Sequence, residues 1–331
     1  PYFVGEHAVL AVEAKYYAGG ALPGAETNWY VNSNETNYSP PNWDDFTFGF
    51  WTPWWFYNDF GGDTQPQSES FTGVTDSTGT HYLRIDFDGA STRPTSITAE
   101  ATVMDLNRQA WTNGTSLLVH PADVYVGLRS ERYFVERGEP LDMELIVSDL
   151  DGNAVAGHPV SVEAARIVWK SSGGWHEELV DPQTCEVTST DQPLTCTFET
   201  NVGGRYRITA TVTDEQGRKN ESRFTRWVSG GDLPPSRNVE REEITLIPDK
   251  DEYQPGDTAE ILVQTPFTPA EVLVTVSRSG ILYTERHTIE DGTLTLSVPI
   301  TDAQIPNINV QVDAVGAAPR VDDGGAPVEG A

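Results

Sequence analysis

Arg205-Tyr206-Arg207-Ile208-Thr209-Ala210-Thr211-Val212-Thr213-Asp214-Glu215-Gln216-Gly217-Arg218 places an apolar side chain on every second residue and then breaks into a turn. Tyr206, Ile208, Ala210 and Val212 share one face, and Arg205, Arg207, Thr209 and Thr211 share the other. A period of two belongs to a strand with one face buried and one wet. The same alternation recurs at Leu141-Met143-Leu145-Val147, Val272-Val274-Val276, Leu294-Leu296-Val298 and Ile308-Val310-Val312, each run bounded by Gly, Pro or Asp. No stretch carries the 3.6-residue period through three helical turns. The 29 Gly and 22 Pro fall between short strands, which predicts an all-β chain of antiparallel sandwiches rather than alternating βαβ units.

The stretch is also half of a repeat. Ala210-Thr211-Val212-Thr213-Asp214 matches Ala101-Thr102-Val103-Met104-Asp105, again a strand running into a hairpin turn. Upstream, Phe3-Val4-Gly5-Glu6, Phe134-Val135-Glu136-Arg137-Gly138-Glu139 and Tyr253-Gln254-Pro255-Gly256-Asp257 each precede a strand. Gly19-Gly20-Ala21-Leu22-Pro23-Gly24 and Gly152-Asn153-Ala154-Val155-Ala156-Gly157 then read as matching hairpin loops. Three tandem units of one architecture follow. We expect them at residues 1–120, 121–230 and 243–316, with a Gly/Pro-rich linker at 231–242 and a mobile tail of small and acidic residues at 317–331. In the second unit Asp123-Val124-Tyr125-Val126-Gly127-Leu128 precedes the Phe-Val signature. The first unit starts almost on its signature and the third is short, so the first is expected to lack its opening strand and the third its last one.

The charge narrows the partners. The 331 residues carry 21 Lys+Arg against 50 Asp+Glu, a formal charge of −29, which excludes nucleic acid as a natural partner. Only Lys15, Lys170, Lys219 and Lys250 supply lysine, so a polybasic membrane patch is absent. No apolar run is long enough to span a bilayer. Two cysteines, Cys185 and Cys196, flank the turn-like Ser189-Thr190-Asp191-Gln192-Pro193. The spacing predicts a disulfide across neighbouring strands, and hence an oxidising compartment; a pair of buried free thiols is the alternative. No CxxC and no neighbouring His completes a zinc set.

No catalytic constellation emerges, and no cofactor or metal is expected. His176-Glu177-Glu178-Leu179 starts like HExxH but continues with Val180, in a strand-like context. There is no GxSxG elbow, and the 6 His are scattered. Asp149-Leu150-Asp151-Gly152-Asn153 resembles a calcium loop, yet an EF-hand would need Gly at Ala154 and Glu at Val160. A hairpin turn is the better reading. The oddest stretch runs from Trp43 to Phe60, with Trp51, Trp54, Trp55, Phe56 and Tyr57 together. Trp51, Trp54, Trp55 and Tyr57 form either an aromatic contact surface, for a sugar or a protein, or an elaborated loop that folds back over its own sandwich or packs on a neighbouring domain.

Taken together, the repeat signatures resemble the macroglobulin-like domains of bacterial alpha-2-macroglobulins. The strongest part is Ile247-Pro248-Asp249-Lys250-Asp251-Glu252-Tyr253-Gln254-Pro255-Gly256-Asp257-Thr258-Ala259-Glu260-Ile261-Leu262-Val263-Gln264, followed by Leu273-Val274-Thr275-Val276-Ser277-Arg278-Ser279-Gly280-Ile281. Val119-His120-Pro121-Ala122-Asp123-Val124-Tyr125-Val126-Gly127-Leu128 and the cysteine pair look similar too. The resemblance implies immunoglobulin/fibronectin-like sandwiches in a large extracytoplasmic protein, whether periplasmic, surface-bound or secreted. It implies a ring of such domains around a protease-sensitive bait and a reactive thioester, closing on the attacking protease. This section would then be non-enzymatic scaffold of an endopeptidase inhibitor, partnered by sister domains and, in the whole protein, by target proteases. A thioester needs Gln three residues after Cys. Cys185 precedes Glu186-Val187-Thr188 and Cys196 precedes Thr197-Phe198-Glu199, so this chain holds none. A surface adhesin or stalk, and a carbohydrate-binding module using the Trp-rich loop, are the competing functions.

Overall fold

The computed structural model describes residues 1–17, 19–52, 67–89, 91–105, 107–170, 176–231 and 243–317, with the backbone of 320–321 and 327–328. Strands β1 (Tyr2–Phe3), β2 (His7–Glu13), β3 (Glu26–Glu35), β4 (Thr47–Phe48), β5 (Gln67–Val74), β6 (Thr80–Asp86), β7 (Thr95–Met104) and β8 (Ala110–His120) come first. Then follow β9 (Val124–Arg129), β10 (Phe134–Val135), β11 (Leu141–Asp149), β12 (Pro159–Lys170), β13 (His176–Thr188), β14 (Leu194–Phe198), β15 (Gly204–Thr213) and β16 (Lys219–Val228). The last group is β17 (Thr245–Pro248), β18 (Thr258–Gln264), β19 (Ala270–Ser277), β20 (Ile281–Ile289), β21 (Thr293–Pro299), β22 (Asn309–Gly316), β23 (Arg320–Val321) and β24 (Pro327–Val328). Among the described residues the only helical piece is a 3₁₀ turn at Asp302–Gln304.

Three sandwiches result. In the first, the five-stranded sheet β1-β8-β7-β3-β5 faces the pair β2-β6 across Trp29, Val31, Leu83, Ile97, Ala99 and Val119. In the second, β10-β16-β15-β12-β13 faces β14-β11-β9-β4, with Tyr206, Ile208, Ala210 and Val212 buried opposite Val126, Leu128, Met143 and Leu145. In the third, β17-β18-β21 faces β20-β19-β22 around Val263, Val272, Val274 and Val276. The opening stretch is therefore the central strand β15, paired with β12 and β16. Among the described residues, the place β9 holds beside β11 has no counterpart next to β2, and no strand pairs with β22 as β16 pairs with β15.

The repeated signature has a common cause. Gly5, Gly138 and Gly256 sit at φ +88, +93 and +101, where a Cβ is disfavoured. Their N–H groups donate to Phe87 O, Thr200 O and Ile300 O, just past β6, β14 and β21, at 2.9, 3.0 and 2.9 Å. The acidic residue after each glycine accepts the N–H three residues back: Glu6 from Phe3, Glu139 from Glu136, Asp257 from Gln254. Gly followed by an acid thus locks the same turn three times, and each turn launches the strand that starts the core.

The cysteines are bonded, Cα to Cα 6.1 Å, but not within one ladder. Cys185 lies on β13 and Cys196 on β14, edge strands of opposite sheets, because the turn between them crosses the sandwich. The disulfide closes one flank of the second sandwich.

Candidate functional site

The other flank is closed by the first sandwich. After β3 the chain leaves its own sheet as an arm, residues 36–52, which runs onto the second sandwich. Its strand β4 pairs with β9, Thr47 opposite Leu128 and Phe48 opposite Gly127. Gly49 N–H donates to Ser222 Oγ at 2.8 Å, Arg223 N–H to Gly49 O at 2.9 Å, and Trp51 N–H to Arg223 O at 2.9 Å. The aromatic residues explain why the arm stays down. Phe46 and Phe48 bury against Tyr125 and Ile146, flanked by Tyr38 and Trp43, and the Phe50 ring lies between the guanidiniums of Arg93 (4.3 Å) and Arg223 (3.9 Å). Arg129 pairs with Asp45 of the arm and with Glu144 beside it.

The loop that resembled a calcium site is the arm's socket. Asp149 Oδ1 accepts the N–H groups of Asp151 (3.0 Å) and Asn153 (2.8 Å), so its lone pairs serve a hairpin. The loop's outward carbonyls hold the arm: Tyr38 Oη donates to Leu150 O at 2.7 Å and Trp43 Nε1 to Gly152 O at 3.1 Å. No side-chain group of three or more metal-ligating residues exists among the described residues.

His120, the last residue of β8, is buried in this seam, with Nδ1 2.8 Å from Tyr125 Oη and its ring edge-on to Tyr38 at 5.0 Å. Burial holds its pKa below the ordinary imidazole value. The unfolded chain binds a proton below about pH 6.5 while folded His120 resists it, so stability present above that pH is lost as the pH falls. We expect the unfolding midpoint to drop between pH 7.5 and 5.5 by more in the wild type than in His120→Phe. Equal drops in denaturant titrations would remove His120 from the account.

A second seam joins the second and third sandwiches. Phe134 and Trp227 bury against Ile247 and Leu262. Tyr133 N–H donates to Asp249 O at 2.9 Å, Thr295 Oγ1 to Glu136 Oε1 at 2.6 Å and Gly230 N–H to Thr293 Oγ1 at 2.8 Å; Arg132 pairs with Glu260. Gly230 therefore bonds directly to the third sandwich just before the expected linker.

Of the expected aromatic surface, Trp51 stacks parallel to Tyr133, centroids 5.4 Å apart and planes 1° from parallel. Trp54, Trp55 and Tyr57 lie outside the described residues. Beneath that stack Arg226 is 4% exposed, its guanidinium 5.5 Å from Trp51, 5.1 Å from Tyr133 and 3.7 Å from Phe224. Burial pushes its pKa down to about 9. Sequence reasoning passed over Tyr133 and Arg226; Arg226 lies between Phe224 and Val228 on the inward face of β16 and puts a cation there. Glu177, in the HExxH-like stretch on β13, reaches across β12 to pair with Arg205 and Arg207 of β15, a structural pairing.

The family model for the alpha-2-macroglobulin bait region domain matches residues 244–327. The chain is 22% identical over 322 residues to an alpha-2-macroglobulin homolog of a Nostoc species, covering 93% of this chain and 16% of that protein. It is 24% identical over 236 residues to the circularly permutated Ras protein 2 of Dictyostelium discoideum, covering 63% of this chain and 6% of that one. The native conformation of Escherichia coli alpha-2-macroglobulin is similar at 18% identity and TM-score 0.47, with 98% of this chain and 21% of that chain covered. Sandwiches and matches together define a tandem array of macroglobulin-like domains. Residues 244–327 thus match the alpha-2-macroglobulin bait region domain, and the chain as a whole is similar to an alpha-2-macroglobulin homolog of which it spans about a sixth.

Proposed function

We propose that this chain is a scaffold section of a broad-range protease trap of the alpha-2-macroglobulin type, with units at 1–120, 121–230 and 243–316 and no catalysis of its own. The observation that carries the reading is the match to an alpha-2-macroglobulin homolog along 93% of the chain. The two seams support it, since a trap that works by moving packed domains between two arrangements needs bodies stiff enough to move as units. The disulfide supports an extracytoplasmic setting, periplasmic, surface-bound or secreted. It also occupies both cysteines, so any thioester belongs to other parts of the protein. The partners proposed are sister macroglobulin-like domains and attacking proteases. Trp51, committed to Tyr133, favours packing on a neighbour over sugar binding.

The full-length protein, mixed with several unrelated endopeptidases, is expected to abolish their cleavage of large protein substrates while leaving cleavage of small chromogenic peptides intact. Proteases that keep digesting large substrates at their free rate would refute the trap.

A further inference from the structure

Four contacts converge on Tyr133, in the short segment between β9 and β10, and they come from all three sandwiches. Its N–H donates to Asp249 O of the third, at 2.9 Å. Its carbonyl accepts Trp227 N–H of the second, at 3.0 Å. Its hydroxyl donates to Asp251 Oδ2 of the third, at 2.6 Å. Its ring carries Trp51, the distal end of the arm from the first.

Arg226 lies under both rings with almost no access to water. Its Nη1 donates to Thr225 O at 2.9 Å, but Nε has no hydrogen-bond partner and no carboxylate pairs with it among the described residues. A buried cation so placed depends on aromatic faces and on charge slightly further off. Asp251 is that charge, acting through the hydroxyl of Tyr133. Removing Asp251 therefore disturbs two supports of the Trp51 stack at once: the hydrogen bond that fixes the Tyr133 ring and the field that offsets Arg226.

We propose that Tyr133 is the coupling residue of the frame: it transmits the position of the third sandwich, held through Asp251, to the arm of the first, held through Trp51. Withdrawal of the third sandwich then loosens the arm on the second. The regulatory meaning, a bait-side movement relayed to the far end of the frame, rests on the trap reading. The coupling itself does not, and it is tested without any protease.

The test is amide hydrogen exchange on the full chain, read at Gly49, Trp51 and Arg223, whose N–H groups anchor the arm. In a buried network of this kind a coupling of about tenfold is the ordinary size. Asp251→Ala, made in the third sandwich, is expected to speed exchange at these three amides about tenfold, while amides on β2 and β6 of the first sandwich keep their rates. Tyr133→Phe keeps the ring stack and the backbone bonds but removes the hydroxyl, and is expected to speed exchange at the same amides by a smaller factor, since the Asp251 charge stays in place. The double variant is expected to exchange no faster than Asp251→Ala alone, because that substitution has already removed the bond to the Tyr133 hydroxyl. Wild-type rates at the arm in Tyr133→Phe would overturn the proposal, as would a double variant whose acceleration is the product of the two. If Asp251→Ala unfolds the third sandwich, Tyr133→Phe alone decides. None of these outcomes touches the protease assay, so failure of the coupling and failure of the trap are separable.

Discussion

Gly127→Val will detach the arm of the first sandwich from the second. A Cβ at position 127 would sit 2.6 Å from Phe48 Cζ and 3.0 Å from Phe46 Cβ, closer than carbon atoms pack. Tyr125 and Gly127 face the arm, whereas Val124, Val126 and Leu128 face the core of the second sandwich. The added methyls therefore spare that core and strike only the seam. Relieving the clash means moving both rings, which are 6% and 4% exposed in place. Losing their burial costs about 3 to 5 kcal/mol, the largest effect expected of any single substitution here. Gly127→Ala should do less, because one methyl can be met by a partial shift. The measurement is chemical denaturation followed at the arm's tryptophans, with amide exchange at Trp51 as the local readout. A Gly127→Val protein with wild-type stability and a protected Trp51 amide would show that the arm is not held this way.

The next largest effect belongs to the disulfide. Cys185 and Cys196 are 11 residues apart in sequence and tie the edges of opposite sheets, on the flank the arm leaves open. By the chain-entropy argument a loop of that length stabilises the fold by about 3 kcal/mol. Replacing both cysteines by alanine should lower the melting temperature of the second sandwich on the order of 10 °C. Because Cys196 is buried, the alanine pair also leaves a small void, so a reduced wild-type sample is the cleaner comparison. If reduction leaves the melting temperature unchanged, the bond carries no weight in this fold.

How much of this was legible beforehand follows from what each feature depends on. The sandwich core was readable because alternation is local: Tyr206 through Val212 declare their buried face without reference to any partner. The turn signature was readable for a similar reason, since glycine at positive φ followed by an acid is settled within four residues. Asp149 was legible as a hairpin for the same cause, its side chain being used up by the two amides that follow. The loop's second role, holding Tyr38 and Trp43, was not, because those partners lie more than 100 residues away.

The arm was legible only as an oddity. Its strand is two residues long, too short for a period, and its partner belongs to another domain, so no pattern near Thr47 announces β4. The disulfide shows a milder version of the same limit. Spacing identified the pair, while the sheet each cysteine occupies depended on where the turn carried the chain. Arg226 went unnoticed because a basic residue on a strand ordinarily points to water; only the rings of Trp51 and Tyr133, from distant segments, together with Phe224 on its own strand, make an inward cation tolerable.

The central claim is that the sandwiches form a frame because the first is built into the second, and differential scanning calorimetry of the intact chain tests it most directly. The account predicts that the first and second sandwiches melt in one cooperative transition, displaced by reduction of the disulfide and split in two by Gly127→Val. Separate transitions for these two sandwiches in the wild-type chain would contradict it.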